Sequence, residues 1–567
     1  MTRRRIALVA LATVSVLAAG CTPSANVPDA TRSPGEQPTP GGRVIYGSPS
    51  DIQGLNPVIS ADATSASITG LLYDTLVRPD PKTGEPIAWM GKWALAPDNL
   101  TYTWEIDPKA DWSDGRPILA DDWVTRVKAT ARSRLAAARN TFGEIEGFND
   151  YADGKTTVIS GISVDTANPK KFTARLVRPL CATLLGLFGA APIPTHVFSK
   201  YTVDNEPRTN LDAAPENRAP TVFSGPFKFK EWREGDQVVL TRNENYWRGA
   251  PYLDEFVLKV VTTAAAQATQ LKSGGITAGL QPPAQFDDLS KQQNLKAYEW
   301  RDNAYDYIGW RVNNPRVSFL QDKRIRQALA YGLDTAQAVQ SILFGHGQKQ
   351  VSHHPTASWA AAASGLDDFK YDPAKAEQLI RDAGFTKGAD GFYQRGDRTL
   401  ALTIVTNQGN AVREAFLNYA AEQYKTIGVK VTPKVESLQT LVPKLATGSD
   451  EIEAMLVGWQ LGPDPDMYSI WHSASVPRPT QAGNNFVGFG NRDLDDLIER
   501  GRGPSCGRDQ RRNIYAQANR LLNEEQPYNF GFSQNRILFA DNRIRGIDPG
   551  GHSPNATWNI EKWWIKR

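Results

Sequence analysis

Residues 400–435 constrain the fold more than any other stretch. Residues 400–405 form an apolar run of strand length, a helical segment covers about 410–427, and 429–435 is strand-like again. A strand–helix–strand crossover is right-handed in nearly all cases and makes its two strands parallel. An α/β sheet is therefore expected. Ala454, Met455, Leu456 and Val457 form a short unbroken apolar run, the pattern of a strand buried on both faces, and are expected to join that sheet. The 567 residues, 40% of them hydrophobic, bury a large core and divide into two or three domains.

Gly458 ends the apolar run. Trp459, Asp464, Asp466, Tyr468, Trp471 and His472 then crowd one expected loop with Gly462, Pro463 and Pro465. Ligands of open α/β sheets settle outside the carboxyl ends of the strands. Rings, carboxylates and stiff backbone there suit a ligand that is both stacked upon and hydrogen-bonded. The plainer alternative makes the tryptophans core and the aspartates solvated turn residues.

The N-terminus carries a basic segment with Arg3, Arg4 and Arg5, then apolar residues 6–19, too short to span a bilayer comfortably, then Gly20-Cys21. Residues 1–20 read as an export signal. Residues 21–40, rich in Pro, Ser, Thr and Gly, read as a disordered tether. Loss of the signal with its three arginines would bring the formal charge from +3 to zero, so no polybasic surface for nucleic acid or membrane is expected. Beyond Cys21 only Cys181 and Cys506 remain. Two cysteines are no disulfide framework in a chain of this size. Their separation gives no support for pairing, and they read as a buried small hydrophobe and a loop thiol.

Elsewhere, a first strand is expected from about residue 43. Tyr102, Trp104 and Ile106 alternate with polar residues as a half-buried strand, and 111–115 turns into a helix from about Ala120. Residues 222–240 read as a hairpin. Asp322 and Asp372-Pro373 read as helix starts, with Gly384 as a stop. Helices are expected at 491–500 and 508–525, and strand patterning returns from Phe530 and ends in 558–565. No internal repeat is present. Phosphate-loop, nucleophile-elbow and zinc-helix motifs are absent, so no enzyme and no cofactor is expected. His353-His354 with His346 is a weak candidate for metal binding, because adjacent side chains point to different sides of most backbones.

Several ordered motifs together resemble the peptide-type solute-binding proteins of ABC importers, the oligopeptide- and dipeptide-binding family. They are Trp112-Ser113-Asp114-Gly115-Arg116-Pro117, Leu72-Tyr73-Asp74-Thr75-Leu76-Val77, Ser224-Gly225-Pro226-Phe227 through Arg242-Asn243-Glu244-Asn245-Tyr246-Trp247, and Asp322-Lys323-Arg324-Ile325-Arg326-Gln327-Ala328-Leu329. The threonine usual at one helix cap is Leu119 here. The small residues before Cys21 resemble a bacterial lipobox, which implies lipidation of Cys21. The basic segment also loosely resembles a twin-arginine signal, which leaves the export route open.

The resemblance implies a two-lobed, type II periplasmic-binding-protein clamshell of α/β class with an inserted domain. By analogy the first lobe takes residues 41–80, 220–305 and 530–567, the insert 81–219, and the second lobe 306–529. It also implies a monomer that captures short peptides between the lobes and delivers them to a membrane permease. In peptide-binding members a Gly-Trp pair ends a second-lobe strand, and an aspartate three residues beyond the Trp holds the ligand's ammonium. Gly458-Trp459 matches the pair, but the anchoring position is Gly462. Either Asp464 or Asp466 takes over the charge, or the ligand presents no free amine. Trp471, His472, Asn484, Asn485, Tyr305 and Tyr307 are weaker candidates for contact. An oligosaccharide ligand fits the aromatic loop as well, and a non-transport regulatory lipoprotein is a third reading.

Overall fold

Tyr528–Asp541 is a 14-residue strand shared between separate cores. Tyr528 and Phe530 pack with Met455, Ile498 and Tyr515, and Phe532 packs with Ile325, Ile404 and Leu456. Leu538 and Ala540 pack with Val44, Leu72, Trp104 and Phe256. Alongside it run the strands Leu295–Arg301 and Ala304–Trp310, separated only by Asp302 and Asn303. Both pair antiparallel with the long strand, at Leu295–Asp541 through Arg301–Asn535 and at Asp306–Phe532 through Gly309–Tyr528. Two adjacent passages of chain, at 302–303 and 533–536, thus join two bodies that have their own cores.

The computed structural model describes residues 37–567 except 61, 137, 203–208, 479, 480, 482, 504, 505, 554 and 555. The expected signal, Cys21 and most of the tether lie outside the described residues. No helix among the described residues is long and apolar enough to cross a membrane.

The main sheet runs through both bodies. Its order from the second body is Lys430–Glu436, Ala401–Asn407, Ala454–Gln460, Ala304–Trp310, Tyr528–Asp541, Ala278–Leu280, Arg43–Ser48, Glu255–Val260, Gln237–Arg242 and Phe227–Arg233. The expected crossover is present: Ala401–Asn407 pairs in parallel with Lys430–Glu436 across the helix Ala411–Thr426. The apolar run joins beside it in parallel, from Ile404–Ala454 to Thr406–Leu456.

In the first body a four-stranded antiparallel sheet includes Gly91–Leu95, Thr101–Ile106 and Lys171–Arg175. Its buried Trp104 and Phe172 pack against Phe188 and Trp123 at ring-centre distances of 4.5 and 4.8 Å. The helix Ala120–Arg132 starts without a side-chain cap from Leu119. Asp122 secures that start from within, because its Oδ2 accepts from Leu119 N at 2.9 Å and from Trp112 Nε1 at 3.0 Å. Asp322 and Asp372 cap their helices as expected, each accepting from a backbone N–H of the first turn.

Two expectations are corrected. Residues 557–562 form a 3₁₀ helix, and only Trp564–Ile565 is strand. Trp558 Nε1 and Asn559 Nδ2 donate to the carbonyls of Asp548 and Gly546, which holds the segment in a turn. Cys181 and Cys506 are not separate thiols but are joined as a disulfide, with Cα atoms 5.1 Å apart. Folding brings together a pair 325 residues apart in sequence.

Candidate functional site

The strand opened by Ala454 does not end at Gly458 but continues to Gln460. Trp459 therefore stands on a strand, opposite Tyr305, and not in a loop. Glycine is needed at 458 for space. A Cβ there would lie 2.2 Å from Asp306 Oδ1 and 2.5 Å from Arg413 Nη2. The neighbouring parallel strand pairs only as far as Thr406–Leu456. Gly458, Trp459 and Gln460 thus have Ala304–Trp310 on one side and no paired strand on the other among the described residues. An unpaired strand edge offers a row of backbone donors and acceptors.

Trp459 is half-buried between aromatic neighbours. It stacks on Phe486 at 5.3 Å and on Tyr307 at 6.3 Å, and its Nε1 donates to Tyr528 Oη at 3.4 Å. Tyr305 and Trp459 both line a cavity of about 330 Å³. The Tyr305 hydroxyl is hydrogen-bonded to His353 Nδ1 at 2.8 Å. Tyr307 lies behind this wall, fully buried and stacked 3.7 Å from Tyr528.

The remaining expected site residues have structural partners. Both carboxylate oxygens of Asp464 accept from Arg511, at 2.8 and 2.7 Å, and Arg511 is almost wholly buried. Asp466 Oδ2 accepts from Arg502 Nε at 3.1 Å, and its Oδ1 accepts from Tyr468 N. Burial raises the Asp466 pKa, opposed by the Arg502 charge. Each of the two carboxylates is thus held by an arginine of its own body.

Trp471 is completely buried against Tyr528, with ring centres 4.3 Å apart. His472 stacks on Tyr468 and faces Glu499 and Asp495. Asn485 is buried and donates to the carbonyls of Phe489, Trp471 and His472, so it braces a turn. Asn484 is exposed and lines none of the three cavities described here. His353 and His354 are buried, and burial lowers both pKa values, that of His354 to about 4. His354 is hydrogen-bonded to the Pro465 carbonyl through Nε2 and to Asn519 through Nδ1.

Sequence reasoning missed the charged floor of the cavity. Arg413 donates to Asp306 Oδ1 from Nε at 2.9 Å and to Asn407 Oδ1 from Nη1 at 2.8 Å. Burial raises the Asp306 pKa against the pull of Arg413. Beside them Arg536 donates to Asp302 Oδ2 at 2.6 Å and to Gln460 Oε1 at 3.0 Å. None of these residues forms a local motif, so only the fold reveals them.

The cavities form a row between the two bodies. Gln460 and Arg536 also line a larger space of about 670 Å³, whose other walls include Trp89 and Trp558 of the first body and Pro463 of the second. Leu185 and Pro463 in turn line a third cavity of about 330 Å³, which Cys181 and Cys506 also line. Volumes of roughly 300–1,000 Å³ are those of small-ligand sites.

Residues 88–481 match the model of the bacterial extracellular solute-binding proteins, family 5, middle region. The oligopeptide-binding protein AppA of Bacillus subtilis is 29% identical over 577 residues, covering all of both chains. A probable ABC transporter-binding protein of Deinococcus radiodurans is 25% identical over 72% of this chain and 71% of its own. The solved structure of Bacillus subtilis AppA with a nonapeptide superposes with a TM-score of 0.75 at 28% identity, covering 94% of this chain and 100% of that one.

Proposed function

Because this chain belongs to the bacterial extracellular solute-binding proteins of family 5, we propose that it captures short peptides in the cleft between its two lobes. It then hands them to an ABC permease. The observation that carries this reading is the open edge of Gly458–Gln460 beside the Trp459 cavity. An extended peptide main chain complements an unpaired strand edge, and pockets for alternate side chains supply tolerance. The arginine–carboxylate pairs Arg413–Asp306 and Arg536–Asp302 give that cleft both signs of charge, which suits a zwitterionic guest. Similarity to an oligopeptide-binding protein along the whole chain supports the same class.

Trp459 is the stacking wall and Tyr305 its neighbour. Arg536, a third of whose side chain is exposed, takes the place of Asp464 and Asp466 as the charged contact, with the neutral Gln460 amide beside it. The chain works as a monomer, held at the outer face of the cell membrane by lipid on Cys21, as the sequence before that residue implies. It holds its guest without altering it. The stacked Trp459 and Phe486 pair favours a second reading, an oligosaccharide lying on the ring faces. Mass spectrometry of small molecules extracted from the purified protein separates the two. Short peptides are expected, and oligosaccharide in their place would overturn the proposal.

A further inference from the structure

The main chain passes between the lobes at 302–303 and 533–536, close together at one end of the row of cavities. The Cys181–Cys506 disulfide makes a third, covalent connection at the other end. Cys181 lies between the strand Lys171–Arg175 and the helix Thr183–Phe188, whose Leu187 and Phe188 belong to the first lobe's core. Cys506 lies between the helices Arg492–Arg502 and Arg508–Glu525, whose Leu494, Ile498 and Ile514 belong to the second lobe. The bond therefore spans the cleft.

We infer that this disulfide is a redox-removable tie that limits how far the lobes separate until a dithiol reduces it. A disulfide tolerates Cα separations only up to about 7 Å, and these two stand at 5.1 Å. A hinge at 302–303 and 533–536 cannot swing the far rim open without exceeding that reach. Reversible contacts accompany the disulfide at this rim: among the described residues Cys181 N donates to Arg502 O at 2.8 Å, and Arg508 pairs with Glu85. Contacts of this reversible kind allow the rim to open once the sulfurs part.

The exchange balances with a dithiol as co-reactant. One thiolate attacks Sγ of the exposed Cys506, the S–S bond breaks, and Cys181 leaves as a thiolate that takes up a proton. The second thiol of the reagent then displaces Cys506, so the protein gains two electrons and two protons and the reagent departs as its disulfide.

The inference rests on the two-lobed fold and not on the ligand class, so it is tested without ligand. Small-angle scattering of the full chain is recorded oxidised, after dithiothreitol, and as Cys181→Ser and Cys506→Ser. Peptide-mapped alkylation verifies the thiol state of residues 181 and 506. The reduced chain and both variants are expected to show a larger radius of gyration than the oxidised chain. If one variant fails to fold, reduction of the unaltered chain supplies the same readout. Superimposable curves before and after verified reduction would overturn the inference, as would alkylation of both cysteines before any reductant is added.

Discussion

Arg536 Nε donates to Asp302 Oδ2 at 2.6 Å, and the two residues sit on the two separate passages of chain that join the lobes. Asp302 is almost wholly buried, whereas Arg536 keeps about a third of its side chain exposed, at 35%. The pair thus ties the crossing segments to each other and also lines the cleft. Removing the arginine leaves a buried carboxylate without its charged partner, with only the Gln460 amide still donating to Oδ1. Arg536→Ala is expected to cost roughly 2–4 kcal/mol of stability and to weaken peptide binding. Asp302→Asn in the same chain should recover part of the stability but not the binding. Thermal unfolding and calorimetry on the double-mutant cycle measure both.

Gly458→Ala asks whether the cleft floor tolerates one methyl group. The added carbon would press on Asp306 Oδ1 and Arg413 Nη2, so either the ion pair or the strand shifts. A cost of about 1–3 kcal/mol is expected from overpacking, read as a lower denaturant midpoint with an unchanged slope.

Asp464→Ala separates an anchoring role from a structural one. Arg511 is buried and loses both of its hydrogen bonds to that carboxylate. The variant should lose about 3–5 kcal/mol of stability, with its remaining folded fraction binding free and N-acetylated peptides in the wild-type ratio. A selective loss of free peptides would return the ammonium contact to Asp464.

The parallel crossover of residues 401–436 and the capped helices were legible because each rests on local pattern. The extension of the strand through Gly458 was not. Glycine reads as a terminator, and the reason for it here is the crowding of Asp306 and Arg413 from elsewhere in the chain. The aspartates of the 464–466 segment look available in sequence because Arg502 and Arg511, which neutralise them, come from helices some forty residues on. The disulfide failed for the same reason: proximity of Cys181 and Cys506 is a product of lobe placement and leaves no mark on spacing.

The buried histidines predict a pH dependence. The folded pKa of His354 is pushed down to about 4 by burial, and that of His353 is also lowered by burial, against about 6.5 in an unfolded chain. The unfolded state then binds more protons below about pH 6.5, so stability is full above that value and falls as pH drops toward 4. The melting temperature should decline from pH 7 to pH 5, and His354→Gln should flatten that decline.

The most direct measurement is isothermal titration of the full chain, and of Trp459→Ala, with a mixture of short peptides and separately with maltooligosaccharides. Peptides should bind, the variant should bind them at least tenfold more weakly, or about 1.4 kcal/mol, and the sugars should give no heat. Sugar binding without peptide binding, or peptide affinity unchanged by loss of the Trp459 ring, would contradict the account.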